Sequence, residues 1–210
     1  MFRLVCLIYL ISAVHGQIQL AGNCSTDLQY EKGFNVTEFS GNWYEFERID
    51  NTFETGACSS FTLTRVLTHN RNYMFVSNQE VVDGKLSIRN GVIIAGFFNY
   101  RFAVAYSDGV SYDVVVLKTN LKDFAVIYSC KDTTNGKAVL AWKLSRTQTP
   151  SSTAITEFDT VIKSYPDLVN ATWFAPSHSK KACTIRNVAT NLGLSSTLFA
   201  LFGIFMSKNL

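Results

Sequence analysis

Eight segments rich in β-branched and aromatic residues follow one another between residues 43 and 146, and this rhythm constrains the fold most. They are Trp43–Ile49, Ser59–Thr68, Asn72–Val82, Lys85–Ala95, Phe97–Tyr106, Ser111–Lys118, Phe124–Lys131 and Ala138–Arg146. Turn material separates them: Asn70-Arg71, Asp83-Gly84, Ser107-Asp108-Gly109, Asn120-Leu121-Lys122 and Thr134-Asn135-Gly136. Asp-Gly and Asn-Gly between such segments mark tight hairpins, because glycine supplies the positive φ that a two-residue turn needs. Even spacing of short strands predicts an up-and-down barrel or a sandwich. No strand–helix alternation occurs, which argues against a parallel α/β sheet.

Alternation assigns the faces. In Ser111–Lys118, Tyr112, Val114 and Val116 share one side and Asp113 takes the other. In Ala138–Arg146, Leu140, Trp142 and Leu144 lie with Arg146, opposite Lys143. Period two turns the apolar set inward. Arg146 then either points in, where a buried charge needs a partner and Trp43 could supply a ring face, or sits in solvent on the rim. After the eighth segment, Thr149-Pro150 reads as a helix start. Ile155, Phe158, Ile162 and Tyr165 make one apolar helical face, and Pro166 stops it.

The two ends differ from this core. Residues 1–16 read as a signal peptide: Arg3, a short apolar run, then Val14 and Gly16 before a cut at Gln17. The run is about eleven residues, short of the roughly 20 that span a bilayer. At the other end, residues 188–210 hold the apolar stretch Leu192 to Met206. It reads either as a GPI-attachment signal, with Asn187 as the cut site, or as an apolar extension packed on the domain. The ligand-binding domain between them is expected over 17–187.

Five cysteines occur, and Cys6 lies in the leader. The remaining four, Cys24, Cys58, Cys130 and Cys183, are an even set that implies disulfides in an exported chain, with three connectivities open. Sequons at Asn23, Asn35 and Asn170 agree with export as a glycoprotein. The net charge of +3 is small and unclustered, so nothing tracks phosphates and nucleic acid is not an expected partner. The histidines His15, His69 and His178 stand apart, and no nucleophile or zinc-protease motif is present. Neither catalysis nor a metal site is expected.

Three motifs then carry a resemblance. Gly41-Asn42-Trp43 matches the G-x-W of the lipocalin first strand. An Arg ends the eighth strand within Ala141-Trp142-Lys143-Leu144-Ser145-Arg146. The turn before the seventh strand, Lys122-Asp123-Phe124, departs from the family's T-D-Y. Over residues 24 to 187 the chain resembles the lipocalins, of the insect bilin-binding and insecticyanin type, with apolipoprotein D and Lazarillo among their relatives.

The resemblance implies an all-β fold: an eight-stranded antiparallel up-and-down barrel with one C-terminal helix packed outside. It implies the pairing Cys24–Cys130 and Cys58–Cys183, and it implies that Arg146 stacks over Trp43 at the closed end. A barrel of this size holds one small ligand. Strand parity nominates its contacts as Met74, Val76, Asn78, Tyr112, Val114, Val116, Ile127, Leu140 and Trp142, with Cys130 facing outward. The function implied is extracellular carriage of a bilin, retinoid, fatty acid or sterol-like compound, with no further cofactor. The alternative is a GPI-tethered surface protein in signalling or adhesion, with a membrane tether and an unidentified receptor. A third reading, capture of amines, requires acidic residues in the pocket, and Glu80 is the one nominated.

Overall fold

A computed structural model describes residues 18–68, 71–95 and 101–186. The expected leader, the tail over 188–210, His69 and the start of the fifth segment at Phe97 lie outside the described residues. Ten strands and two helices are described. The strands are β1 (Ile18–Leu20), β2 (Gly41–Ile49), β3 (Ala57–Thr68), β4 (Arg71–Val82), β5 (Lys85–Ala95), β6 (Arg101–Tyr106), β7 (Ser111–Thr119), β8 (Phe124–Thr133), β9 (Gly136–Ser145) and β10 (Trp173–Phe174). The helices are α1 (Ser152–Ser164) and α2 (Pro166–Val169).

Strands β2 to β9 form an antiparallel meander that closes into a barrel through β9–β2 pairing, Tyr44 opposite Ser145 and Arg48 opposite Trp142. The eight expected segments are these eight strands, most with ends shifted by a few residues. Two further strands went unpredicted. β1 pairs with β9, Ile18 opposite Val139, and β10 pairs with β2, Trp173 opposite Ile49. Strands of two or three residues carry no alternation to read.

Two apolar layers result. The inner faces meet in a core that includes Phe34, Phe39, Trp43, Phe102, Val116 and Leu144. The outer faces of β7, β8 and β9 offer Val115, Val126, Tyr128, Val139 and Ala141 to α1. The alternation in β7 is therefore apolar on both faces near its middle: one side fills the barrel and the other receives the helix.

The helix start differs from expectation. Ser151, not Thr149, caps α1, its hydroxyl accepting from the Ala154 amide at 3.1 Å. The buried face is Ala154, Phe158 and Val161, while Ile155 is 42% exposed. Phe158 packs edge-on to Phe124 and parallel to Phe46. Helical spacing admits either face, and fit to those rings selects the one through Ala154. Pro166 ends α1 and then opens the short turn α2.

Both bridges tie flanking segments to the barrel: Cys24–Cys130 across 106 residues and Cys58–Cys183 across 125. Cys130 lies on the outer face of β8, as alternation requires. Restricting loops of this length in the unfolded chain stabilises by roughly 4–5 kcal/mol each in the chain-entropy model.

Candidate functional site

The barrel is plugged at one end. Trp43 is fully buried, and the Arg146 guanidinium lies 3.7 Å from the centre of its ring. Arg146 donates to the carbonyls of Asn42, Leu121, Glu38 and Phe39 at 2.9–3.4 Å. Gly41 is required there. Its φ is +99°, and an added Cβ would press on the Arg146 guanidinium at 3.3 Å. The Trp43 indole N–H donates to the Phe39 carbonyl at 2.9 Å. The Arg146 side chain thus points in, over Trp43.

Above this floor lies a cavity. Its apolar wall includes Phe61, Leu63, Val76, Ile93, Phe102 and Val114, and its polar groups include Glu45, Glu54, Asn78 and Tyr106. The unfilled space is about 50 Å³, enough for a few waters and well below the roughly 300–1,000 Å³ of an open ligand site. Aromatic and charged side chains stand at its mouth. Phe53, from the loop between β2 and β3, stacks on Tyr112 with centroids 5.7 Å apart. Arg89 lies 3.9 Å over the Tyr106 ring and pairs with Asp108 at 2.7 Å. Gly91 makes room for Tyr106, because a Cβ there would stand 3.0 Å from the ring and 2.7 Å from the Ala105 carbonyl oxygen.

Of the residues nominated by parity, Val76, Asn78, Tyr112, Val114, Ile127 and Trp142 line the cavity. Met74, Val116 and Leu140 do not. All three sit in the inner core. Met74 contacts the Ser40 hydroxyl through its sulfur at 3.9 Å, and Val116 is completely buried. Leu140 borders a surface cleft between the upper parts of β7 and β8. Parity reports which face a side chain takes, but not its height along the barrel: Met74 and Val116 fill the lower half, whereas Leu140 lies beside the upper cleft.

The expectation for Glu80 is also corrected. Its carboxylate accepts from the Gly56 amide at 2.6 Å and so holds the β2–β3 loop. The acidic residues on the cavity wall are Glu45 and Glu54. Glu45 follows Trp43 by two along β2, so parity could have found it. Glu54 comes from a loop with no periodicity, and nothing in the sequence marks it. The same holds for Phe53. Arg89, Ile93, Phe102, Val104 and Tyr106 follow the parity of β5 and β6.

The two carboxylates are differently placed. Glu45 is buried, forms an ion pair with Arg48 and accepts from the Ser59 hydroxyl at 2.8 Å. Arg48 also donates to the Glu54 carbonyl and packs 4.5 Å over Phe174. Burial pushes the Glu45 carboxyl above its ordinary range, against the opposing pull of Arg48. Glu54 accepts at one oxygen, Oε2, from Asn51 Nδ2 at 2.9 Å and from the Trp142 indole at 3.0 Å. It keeps some exposure toward the cavity, yet protein surrounds it. Burial, with the Glu45 charge nearby, pushes it up to about 7. Burial first, then Glu54, also raises the Tyr106 hydroxyl.

Among the described residues no cluster of His, Cys, Asp or Glu could hold a metal ion. His178 lies outside the barrel, hydrogen-bonded to the Glu45 carbonyl at 2.8 Å. Asn23, Asn35 and Asn170 are exposed.

A family model described as "Lipocalin / cytosolic fatty-acid binding protein family" matches residues 40–178. Apolipoprotein D of Macaca fascicularis is 28% identical over 155 residues, covering 69% of this chain and 77% of that protein. Insecticyanin of the tobacco hornworm Manduca sexta superposes with a TM-score of 0.69 at 23% identity, over 80% of this chain and 93% of that one. Lobster apocrustacyanin A1 gives 0.64 at 18% identity, over 82% and 96%. At those identities the two structures attest the shared fold.

Proposed function

The chain belongs to the lipocalin / cytosolic fatty-acid binding protein family, and from that premise we propose an extracellular carrier of one small hydrophobic molecule held inside the barrel. The observation that carries this reading is the inner wall. It is apolar around a small polar group, is plugged below by Trp43 and Arg146, and is bordered above by Phe53 stacked on Tyr112 and by Arg89 over Tyr106. Burial of hydrocarbon supplies roughly 25 cal/mol per Å², and Asn78, Tyr106 and Glu54 fix orientation. A bilin, retinoid or fatty acid enters when the loop carrying Phe53 swings away, because the enclosed space alone is too small. Two disulfides and three exposed sequon asparagines support an oxidising, extracytoplasmic location.

Native mass spectrometry of the purified protein tests for a co-purified ligand. Titration with biliverdin, retinol or oleate should quench Trp142 with one-to-one stoichiometry. Val114→Trp should weaken that binding, and Asp113→Ala, on the opposite face of β7, should not. Absence of binding by all three compounds would sink the carrier reading.

The apolar segment 192–206 supports the second reading, a GPI-tethered surface protein in signalling or adhesion. Release from cells by a phosphatidylinositol-specific phospholipase tests it, and recovery of intact Leu210 in medium excludes it.

A further inference from the structure

Six charged groups gather at the mouth: Glu45 and Arg48 from β2, Glu54 from the following loop, Glu80 from β4, Arg89 from β5 and Asp108 from the β6–β7 turn. Arg48 pairs with Glu45, and Arg89 uses two of its donors on Asp108. Glu80 spends a carboxylate oxygen on the Gly56 amide at the rim. Glu54 is left without a cation of its own. Both of its hydrogen bonds fall on Oε2, so Oε1 has no hydrogen bond from the described residues, and Glu54 borders the cavity. Around it stand the rings of Phe53, Tyr106, Tyr112 and Trp142. That aromatic surface already accepts one cation, since Arg89 lies over Tyr106 and within 6 Å of Phe53 and Tyr112.

We propose that the preferred ligand is an apolar amine, its ammonium seated between Glu54 Oε1 and the ring faces and its hydrocarbon or aromatic body in the cavity below. This rests on the carrier reading and names its ligand class. A half-buried carboxylate with one oxygen lacking a hydrogen-bond partner is costly when charged. An ammonium satisfies it with a charge-assisted hydrogen bond, and aromatic faces stabilise a desolvated cation further. Arg89 is the group that would favour an anion, but Asp108 offsets its charge. Without the amine, Glu54 avoids the cost by taking up a proton near neutrality. Proton and amine therefore compete for one site. The other titratable and charged groups facing it are Glu45, Arg48, Glu80, Arg89, Tyr106 and Tyr112. Both tyrosines are held above their ordinary values by burial.

The test is a headgroup series of equal chain length on the full secreted protein: octylamine, octanol and octanoate, titrated by calorimetry at pH 8 and pH 6. Octylamine should bind about tenfold or more tightly than octanol at pH 8, the worth of one charge-assisted hydrogen bond. That ratio should fall about tenfold at pH 6, where Glu54 is protonated while the amine stays charged. In Glu54→Gln the ratio should collapse toward one at both pH values. Should that variant fail to fold, the wild-type series with its pH dependence decides alone. Octanoate binding as tightly as octylamine, or a ratio indifferent to pH, overturns the amine proposal and leaves the carrier reading standing. If none of the three binds, the amine proposal falls, and the titrations with biliverdin, retinol and oleate decide the carrier reading.

Discussion

At the floor of the barrel, Arg146 lies flat on Trp43 and points its donors at backbone carbonyls of Asn42 and Leu121. At the mouth, Glu54 borders the cavity with one carboxylate oxygen that takes no hydrogen bond from the described residues, and Glu45 and Arg48 share one buried ion pair. The floor is a charge fully partnered by dipoles and a ring. The mouth is a group of charges with more carboxylates than cations. The first arrangement stabilises one geometry. The second stores an unmet demand that a ligand or a proton can satisfy, so stability and recognition are placed at opposite ends.

The comparison breaks most sharply at the floor. Trp43→Ala should destabilise by about 3–5 kcal/mol, as for other fully buried aromatic side chains, measured by urea denaturation followed through circular dichroism. A loss below about 1 kcal/mol would mean that the floor is not the structural plug described. Arg146→Ala should cost about 1–3 kcal/mol, since its hydrogen bonds are charge-assisted and their carbonyl acceptors lose a donor. Arg146→Lys should recover only part, because an ammonium cannot lie flat and reach the same carbonyls.

The mouth should respond to pH in a way the floor does not. The Glu54 carboxyl rises from an ordinary 4.5 to about 7 on folding. Its contribution is complete below about 4.5, where both states are protonated, and is lost as pH climbs through about 7. The unliganded protein should therefore lose about 1–3 kcal/mol between pH 5 and pH 8. Glu54→Gln should flatten most of that slope, and Glu45, raised in the same direction, should account for what persists. Denaturation midpoints across that range check it. A slope identical in wild type and variant would show that Glu54 keeps its ordinary titration. The smallest effect belongs to Asp113→Ala, on the outer face of β7, which should stay within about 0.5 kcal/mol of wild type.

The difference in legibility follows the same division. The floor was legible through the lipocalin resemblance carried by Gly41, Trp43 and Arg146, whereas alternation alone left Arg146 either over Trp43 or in solvent on the rim. Strand faces followed from alternation in β4, β7, β8 and β9, where Asp113 and Val114 turned to opposite sides. The height of Met74, Val116 and Leu140 along the barrel was not legible, because every inward residue looks alike in a period of two. Phe53 and Glu54 were invisible for another reason. They belong to a loop positioned by Asn51, Glu80 and Arg48 through contacts that no local pattern encodes.

The seam of the barrel has a consequence for handling the protein. β2 and β9 pair only from Tyr44–Ser145 to Arg48–Trp142, and toward the mouth β9 turns to β1 and β2 to β10. Two short flanking segments thus complete hydrogen-bond ladders that would otherwise lie open to solvent. Remove residues 18–20, keeping Cys24 and its bridge to Cys130, and the stretch Lys137–Val139 becomes an unpaired strand edge beside the apolar outer face of β8. Such an edge is a template for another chain. A trimmed version, designed to be simpler, would meet its failure in the test tube as self-association, even with every barrel contact intact.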